Sequence, residues 1–234
     1  MQQYFAKNKN LELEDSDYHH IKNVMRMKKG DTIKVVYDDV IYTCKLTLVS
    51  NKSSFEIISK ETKKEKTFEI DVAFSLIKEQ KLNYLLQKAT ELGVDKLLPL
   101  YTKRCVVKVE PKKELSKKER WSKICKEASE QSFRSDIPII SNILSLNDLI
   151  KESYDLKLLC SLNKNTENIK KVLEKNNKCV KILLVVGPEG GFEPSEEQYL
   201  LENGFLSVSL GENVLRAETA VVAGISMIKY EFMR

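Results

Sequence analysis

Val180-Lys181-Ile182-Leu183-Leu184-Val185-Val186 runs straight into Gly187-Pro188-Glu189-Gly190-Gly191-Phe192. The first seven residues are a β-branched and aliphatic run that reads as a strand. The glycine-rich turn that follows permits unusual backbone angles and close approach to a ligand. The arrangement recurs downstream. Strand Phe205–Leu210 is followed by Gly211-Glu212-Asn213-Val214-Leu215-Arg216-Ala217-Glu218-Thr219-Ala220, and a final helix begins near Ala217. These two loops hold four of the chain's eight glycines.

Outward from these loops, helices and strands alternate. Asp71–Ile77 and Leu97–Tyr101 read as strands. Between them, Leu82, Leu85, Leu86, Ala89 and Leu92 recur at helical spacing over 81–92, with Gly93 as a stop. Ser116-x-x-Glu119 reads as a capping box opening a helix through about Phe133, with Trp121 in its buried face. Further on come an extended piece at Ile137–Ile140, a helix at Leu146–Glu152, a strand at Leu156–Ser161 and a helix at Thr166–Asn176 capped by Thr166. Ser195-x-x-Gln198 reads as a capping box for a helix over Glu196–Asn203. This order predicts an α/β domain with a largely parallel sheet, in which ligands sit beyond the C-terminal ends of the strands.

Residues 1–70 differ. Asp31–Tyr37, Val40–Val49 and Ser54–Ser59 are short strands separated by turns, which predicts a small β-barrel or sandwich. The charged stretch Lys60–Lys66 reads as a solvated linker or hairpin tip. The predicted organisation is therefore a domain over 1–70 and a second over 71–234.

The post-strand loops lack the Lys-Ser/Thr of a phosphate loop and the G-x-G-x-x-G of a dinucleotide fold. Glu189 would also repel a phosphate. A ligand without phosphates, held by backbone groups, suits them better; a pair of ligand-free tight turns is the other reading.

The 234 residues carry 33 Lys, 6 Arg and 34 acidic groups, for a net charge of +5. The charge is uneven: residues 103–126 hold ten basic and three acidic side chains. Such a segment suits a polyanion, and equally a solvated helix face. Arginine is sparse enough that Arg26, Arg104, Arg120, Arg134, Arg216 and Arg234 each invite explanation, since the guanidinium fork grips phosphate, carboxylate or a base edge. No apolar run is long enough for a membrane helix, and the N-terminus lacks the apolar core of a signal peptide. The five cysteines form no C-x-x-C pair and His19-His20 is a poor metal pair, so no metal site, a reduced cytoplasmic setting and no membrane are expected.

VVGPEGGF followed by LGENVLRAETA closely resembles the SPOUT-class methyltransferases, and specifically the family that methylates N3 of a uridine in 16S ribosomal RNA. The resemblance extends over nearly the whole chain. His19-His20 through Gly30-Asp31 looks like that family's N-terminal element, and Lys88–Val94 like its helix end. Arg104, Arg120-Trp121 and Glu127 through Pro138 look like its central motifs. Met25, Gln3 and the Asp38-Asp39 turn depart from the usual pattern.

The resemblance implies a PUA-like β-barrel that helps hold RNA, and a SPOUT α/β domain with a deep trefoil knot. It also implies a homodimer, S-adenosyl-L-methionine (AdoMet) as cofactor, and 16S rRNA or the small ribosomal subunit as partner. Cofactor contacts fall on Leu162, Gly187, Pro188, Glu189, Gly190, Gly191, Leu210, Gly211, Val214, Leu215, Arg216, Ala217 and Thr219. Transfer to uridine N3 needs a guanidinium to stabilise charge on the uracil ring. Arg104 and Arg216 are the expected catalytic groups, with Arg134 behind them or on an RNA phosphate, and Glu218 orienting Arg216 or the substrate. His20, Lys22, Arg26 and Lys28, with Lys112, Lys113, Lys117 and Lys118, are the expected RNA contacts. A non-catalytic rRNA-binding factor that retains the fold is the competing reading.

Overall fold

A computed structural model describes residues 1–63, 65–163 and 166–233. Arg234 and Lys64 lie outside the described residues. The chain forms two compact units: Met1–Glu65 with Lys126–Ile137, and Lys66–Cys125 with Pro138–Arg234.

The first unit is built on a four-stranded sheet in the order β1 (Gln2–Phe5), β2 (Thr32–Tyr37), β3 (Val40–Leu48) and β4 (Ser54–Thr62). β1, too short to show a pattern in the sequence, pairs parallel to β2, while β2, β3 and β4 are antiparallel. Asp38 and Asp39 form the two-residue turn between β2 and β3 with φ of 49° and 59°. Two successive positive φ angles give the turn the twist a tight hairpin needs, and aspartate tolerates them better than most residues. The charged stretch expected as a linker begins as strand instead: Lys60, Glu61 and Thr62 pair with Tyr42, Ile41 and Val40. Helix α1 (Asp15–His19) passes directly into a π-helical turn over His20–Val24, closed by the Met25 amide donating to the His20 carbonyl at 2.8 Å. Leu13, Ile21, Ile33, Val35 and Leu46 are the centre of this unit's core.

The second unit contains a seven-stranded sheet. Its strands in chain order are β5 (Glu69–Ser75), β6 (Lys96–Leu100), β7 (Ile139–Ile140), β8 (Leu156–Cys160), β9 (Glu167–Asn168), β10 (Lys181–Val186) and β11 (Leu206–Ser209). Their spatial order is β7-β6-β5-β10-β8-β11-β9 and every pairing is parallel. The helices are α2 (Glu79–Glu91), α3 (Pro111–Gln131), α4 (Leu146–Leu149), α5 (Ile169–Lys175), α6 (Pro194–Glu202) and α7 (Ala217–Phe232). The final six residues of α3 belong to the first unit. α7 lies against α2 and β10, and Gly224 is what allows it: a Cβ there would meet Leu184 at 2.6 Å.

Three helix starts differ from the sequence reading. α3 begins at Pro111, and Ser116 sits inside it, its hydroxyl donating to the Lys113 carbonyl at 3.0 Å. Proline is favoured in a helix's first turn, where its missing N–H is no loss. α6 likewise opens with Pro194, and its reciprocal capping pair is Glu193 with Glu196, not Ser195 with Gln198. Thr166 does not cap α5. Residues 167–168 are taken up by pairing with β11, and Asn168 caps the helix by accepting from the Lys170 amide at 2.9 Å.

Candidate functional site

β10, β8 and β11 are neighbours and parallel, so their C-terminal ends lie along one edge of the sheet. The loops that leave those ends enclose a cavity of about 690 Å³. Leu162, Gly187, Pro188, Glu189, Gly190, Gly191, Leu210, Gly211, Val214, Leu215 and Ala217 line it. Arg216 and Thr219, expected with them, do not; both are exposed at the start of α7. Arg104, Phe192, Ser161, Glu197 and Glu212 also line the cavity. Phe192 and Glu212 sit in the two glycine-marked loops, whereas nothing in the local sequence marked Ser161 and Glu197, which reach the cavity through the sheet order.

The glycines are required by the packing around them. Phe192 is buried in the core of this unit, and a Cβ on Gly187 would lie 3.0 Å from its ring. Gly191 has φ of +68° and lies under Leu162, which a Cβ would approach to 3.3 Å. These contacts keep the loop backbone close to the cavity. Leu162 and Val214 are 58% and 76% exposed at the mouth, two apolar side chains that a bound ligand would cover.

Among the described residues the lining is acidic: Glu189, Glu197 and Glu212 against one cation, Arg104. The Lys81 ammonium, 2.7 Å from Glu189, holds that carboxyl below its ordinary value. Ser161 donates its hydroxyl to Glu197. Such a cavity rejects a polyphosphate. It suits AdoMet, whose sulfonium and ammonium outweigh its single carboxylate and which carries no phosphate.

Arg104 is firmly held. Its Nε donates to Glu193 at 2.8 Å and one terminal nitrogen donates to the Gly190 carbonyl at 2.8 Å. The neighbouring Lys103 amide donates to Glu196 at 2.8 Å, and Glu196 also accepts from the Glu193 amide at 3.0 Å. The loop after β6 is thereby clasped to the N-terminus of α6. Arg216, by contrast, is the exposed N-cap residue of α7, and its guanidinium has no partner among the described residues. Glu218 makes no ion pair with it; that carboxylate is buried, with one oxygen lacking any hydrogen bond.

Arg134 belongs to the first unit, where it is committed to structure. Its guanidinium donates twice to Asp136, at 2.9 and 2.7 Å, and its carbonyl accepts from the Gln3 side chain. Nearby, Glu130 is largely buried between Lys126 and Asp17. Burial, with Asp17 adding to it, pushes its carboxyl up to about 7 despite the Lys126 ammonium. His20 is half-buried, its Nδ1 2.9 Å from the Tyr4 hydroxyl. Lys22 donates to Asn51, and the Lys28 amide is held by Asp31, which leaves its ammonium in solvent. Arg26 is exposed in the left-handed region with φ of 51°.

The basic segment is less uniform than its composition. Lys112 and Lys113 both pair with Glu110, Lys117 and Arg120 with Glu79, and Lys118 donates to Asn142. Lys103, Lys108 and Lys123 have no carboxylate partner among the described residues. Among those residues, no group of three or more His, Cys, Asp or Glu could hold a metal ion, and no helix is long and apolar enough to cross a membrane.

Residues 63–229 match the model of the RNA methyltransferase domain, and residues 13–58 that of the RNA methyltransferase PUA domain. The chain is 33% identical to the ribosomal RNA small subunit methyltransferase E of Bacillus subtilis, over 99% of its own length and 97% of that protein's. It is 34% identical to the protein of the same name from Aquifex aeolicus, with 93% of each covered. A crystal structure of ribosomal RNA small subunit methyltransferase E from Neisseria gonorrhoeae, bound to S-adenosyl methionine, superposes with a TM-score of 0.87 at 28% identity. The match covers 98% of this chain and 97% of that one.

Proposed function

The chain belongs to the RNA methyltransferase family of ribosomal RNA small subunit methyltransferase E, and from that membership we propose that it methylates N3 of one uridine in small-subunit rRNA. It is an AdoMet-dependent rRNA methyltransferase with a SPOUT-type α/β domain and a PUA-like N-terminal domain. The domains correspond to about 1–70 and 71–234. The observation that carries the reading is the acidic, glycine-floored cavity between the loops after β8, β10 and β11.

The backbone of Gly187–Gly191 and Leu210–Leu215 would hold the cofactor, and Leu162 and Val214 offer apolar surface for it. Bound AdoMet supplies an electrophilic methyl group on sulfur. The chain's own task is to present the nucleophile. Uridine N3 lies on the Watson–Crick edge, so the base must be unpaired before it can reach the cavity. Holding it in line with the methyl provides much of the rate, through orientation. Solvent water or hydroxide takes the N3 proton, which leaves negative charge on the ring oxygens. The Arg216 fork, next in sequence to the lining residues Leu215 and Ala217 and without a partner among the described residues, is free to bind them, and a charge-assisted hydrogen bond there strengthens as the charge develops. Arg104 contributes by fixing the Gly190 carbonyl and with it the cofactor loop.

Two further features belong to this reading: a trefoil knot formed by the C-terminal chain, and a homodimer in the cytoplasm. Tyr84 on α2 and Tyr230 on α7 are 48% and 84% exposed, on two helices that pack together, and suit a subunit interface.

Calorimetric titration separates the enzyme from a binding factor that merely keeps the fold. AdoMet is expected to bind with one site per chain and ATP not to bind. Absence of AdoMet binding would refute the reading.

A further inference from the structure

A second cavity, of about 470 Å³, lies where the loop after β6 leads into α3. Tyr101, Cys105, Val109 and Pro111 supply its apolar surface, and Lys103 and Lys108 its cations. We propose that this cavity takes a nucleotide of the substrate RNA strand beside the methylated uridine, its base against the apolar surface and its phosphate on Lys108 and Lys103. The proposal rests on the methyltransferase reading above and extends it to a second subsite.

The cavity is built rather than incidental. The Tyr101 hydroxyl donates to the Val109 carbonyl at 2.8 Å and ties the two ends of the loop together. Thr102 is buried, its hydroxyl 3.1 Å from Ser75 and 3.2 Å from the Cys105 sulfur. The one carboxylate in the lining, Glu114, already accepts from the Ile143 amide at 2.9 Å.

Its charge, set beside an apolar recess, distinguishes it from the paired lysines of the basic segment. Lys112, Lys113 and Lys117 face carboxylates of their own unit. Lys108 is exposed and has no such partner among the described residues, and the Lys103 ammonium donates only to the Ser195 hydroxyl, at 2.9 Å. An ammonium without a counter-charge beside an apolar recess matches a nucleotide, which combines a flat base with an anionic phosphate. The volume lies within the ~300–1,000 Å³ of small-ligand sites.

Its location supplies the rest. Lys103 lines this cavity and Arg104, the next residue, lines the cofactor cavity. Glu196 and Glu193 clasp both residues to the N-terminus of α6. A strand whose target base enters the cofactor cavity therefore passes the second one within a residue's width of the loop.

The test uses the full chain loaded with AdoMet and a single-stranded small-subunit rRNA fragment containing the target. Lys108→Ala should weaken RNA binding about 3- to 10-fold and reduce the slope of log Kd against log salt by about 0.7, the value of one phosphate contact on a single strand. Lys108→Glu should weaken it further. AdoMet affinity and melting temperature should not change, and Lys170→Ala, in the exposed pair with Glu174 on α5, should leave RNA binding alone. In the wild type, 4-thiouridine placed on either side of the target should crosslink within residues 101–111. Unchanged Kd and salt slope in Lys108→Glu, or crosslinks falling wholly outside that segment, would overturn the proposal. So would a change in sedimentation without a change in RNA affinity, since the cavity would then hold another protein chain. If Lys108→Glu melts early, Lys108→Ala and the crosslinks decide. A wild type that binds no AdoMet refutes the methyltransferase reading; a wild type that methylates while both Lys108 variants match it refutes only the second subsite.

Discussion

Arg104 and Arg216 carry the same fork in opposite surroundings. The first spends its donors on Glu193 and Gly190; the second has none committed among the described residues. Their replacement by lysine should separate them, because lysine keeps the charge and loses the fork. Arg216→Lys should cut turnover by about 100- to 1,000-fold, the scale of one transition-state hydrogen-bond donor, with AdoMet affinity nearly unchanged. Arg104→Lys should weaken AdoMet binding several-fold, because the cofactor loop loses its anchor. Steady-state kinetics with AdoMet calorimetry checks both, and equal effects on both parameters would contradict the division of roles. The glycines at 187, 190, 191 and 211 were legible from sequence because glycine placement after a strand has a direct steric meaning. The division between the two arginines was not legible. It depends on Glu193, 89 residues from Arg104, and on Glu196, 93 residues from Lys103.

At the scale of elements, strands and helices were legible where periodicity was strong, as in α2, β10 and α7. The misreadings fell on helix starts, where Ser116 and Ser195 offered plausible caps and the proline upstream decided instead. β1 could not be read, because its partner strand, β2, lies elsewhere in the chain. The last turn of α3 brings a testable consequence. Glu130 titrates at about 7 in the fold against an ordinary value of 4.5, so between those values the folded chain holds a proton that the unfolded chain has released. Its contribution to stability is complete below 4.5 and is lost as pH rises through 7. Glu130→Gln keeps the neutral form at all pH. Relative to wild type, its melting temperature should rise by about 5–10 °C between pH 5 and pH 8, the equivalent of roughly 2.5 kcal/mol in a chain of this size. Thermal melts at the two pH values check this, and a pH-independent difference would contradict the assigned burial.

For the whole molecule, composition already pointed to a polyanion partner, and the structure sharpens where that charge acts. Several lysines of the 103–126 run are neutralised by Glu110 and Glu79, while Lys103 and Lys108 have no carboxylate partner among the described residues. The α/β class followed from the alternation of elements. The placing of β10 between β5 and β8, which creates the cavity, did not, since strand order is not written in local pattern. The central claim is that this cavity carries a methyl group to uridine N3. Purified protein should be incubated with methyl-labelled AdoMet and small-subunit rRNA from a strain lacking the activity, and the RNA digested to nucleosides. The account predicts label in 3-methyluridine, about one per RNA molecule, lost in Arg216→Lys. Label in any other nucleoside, or none, would contradict it.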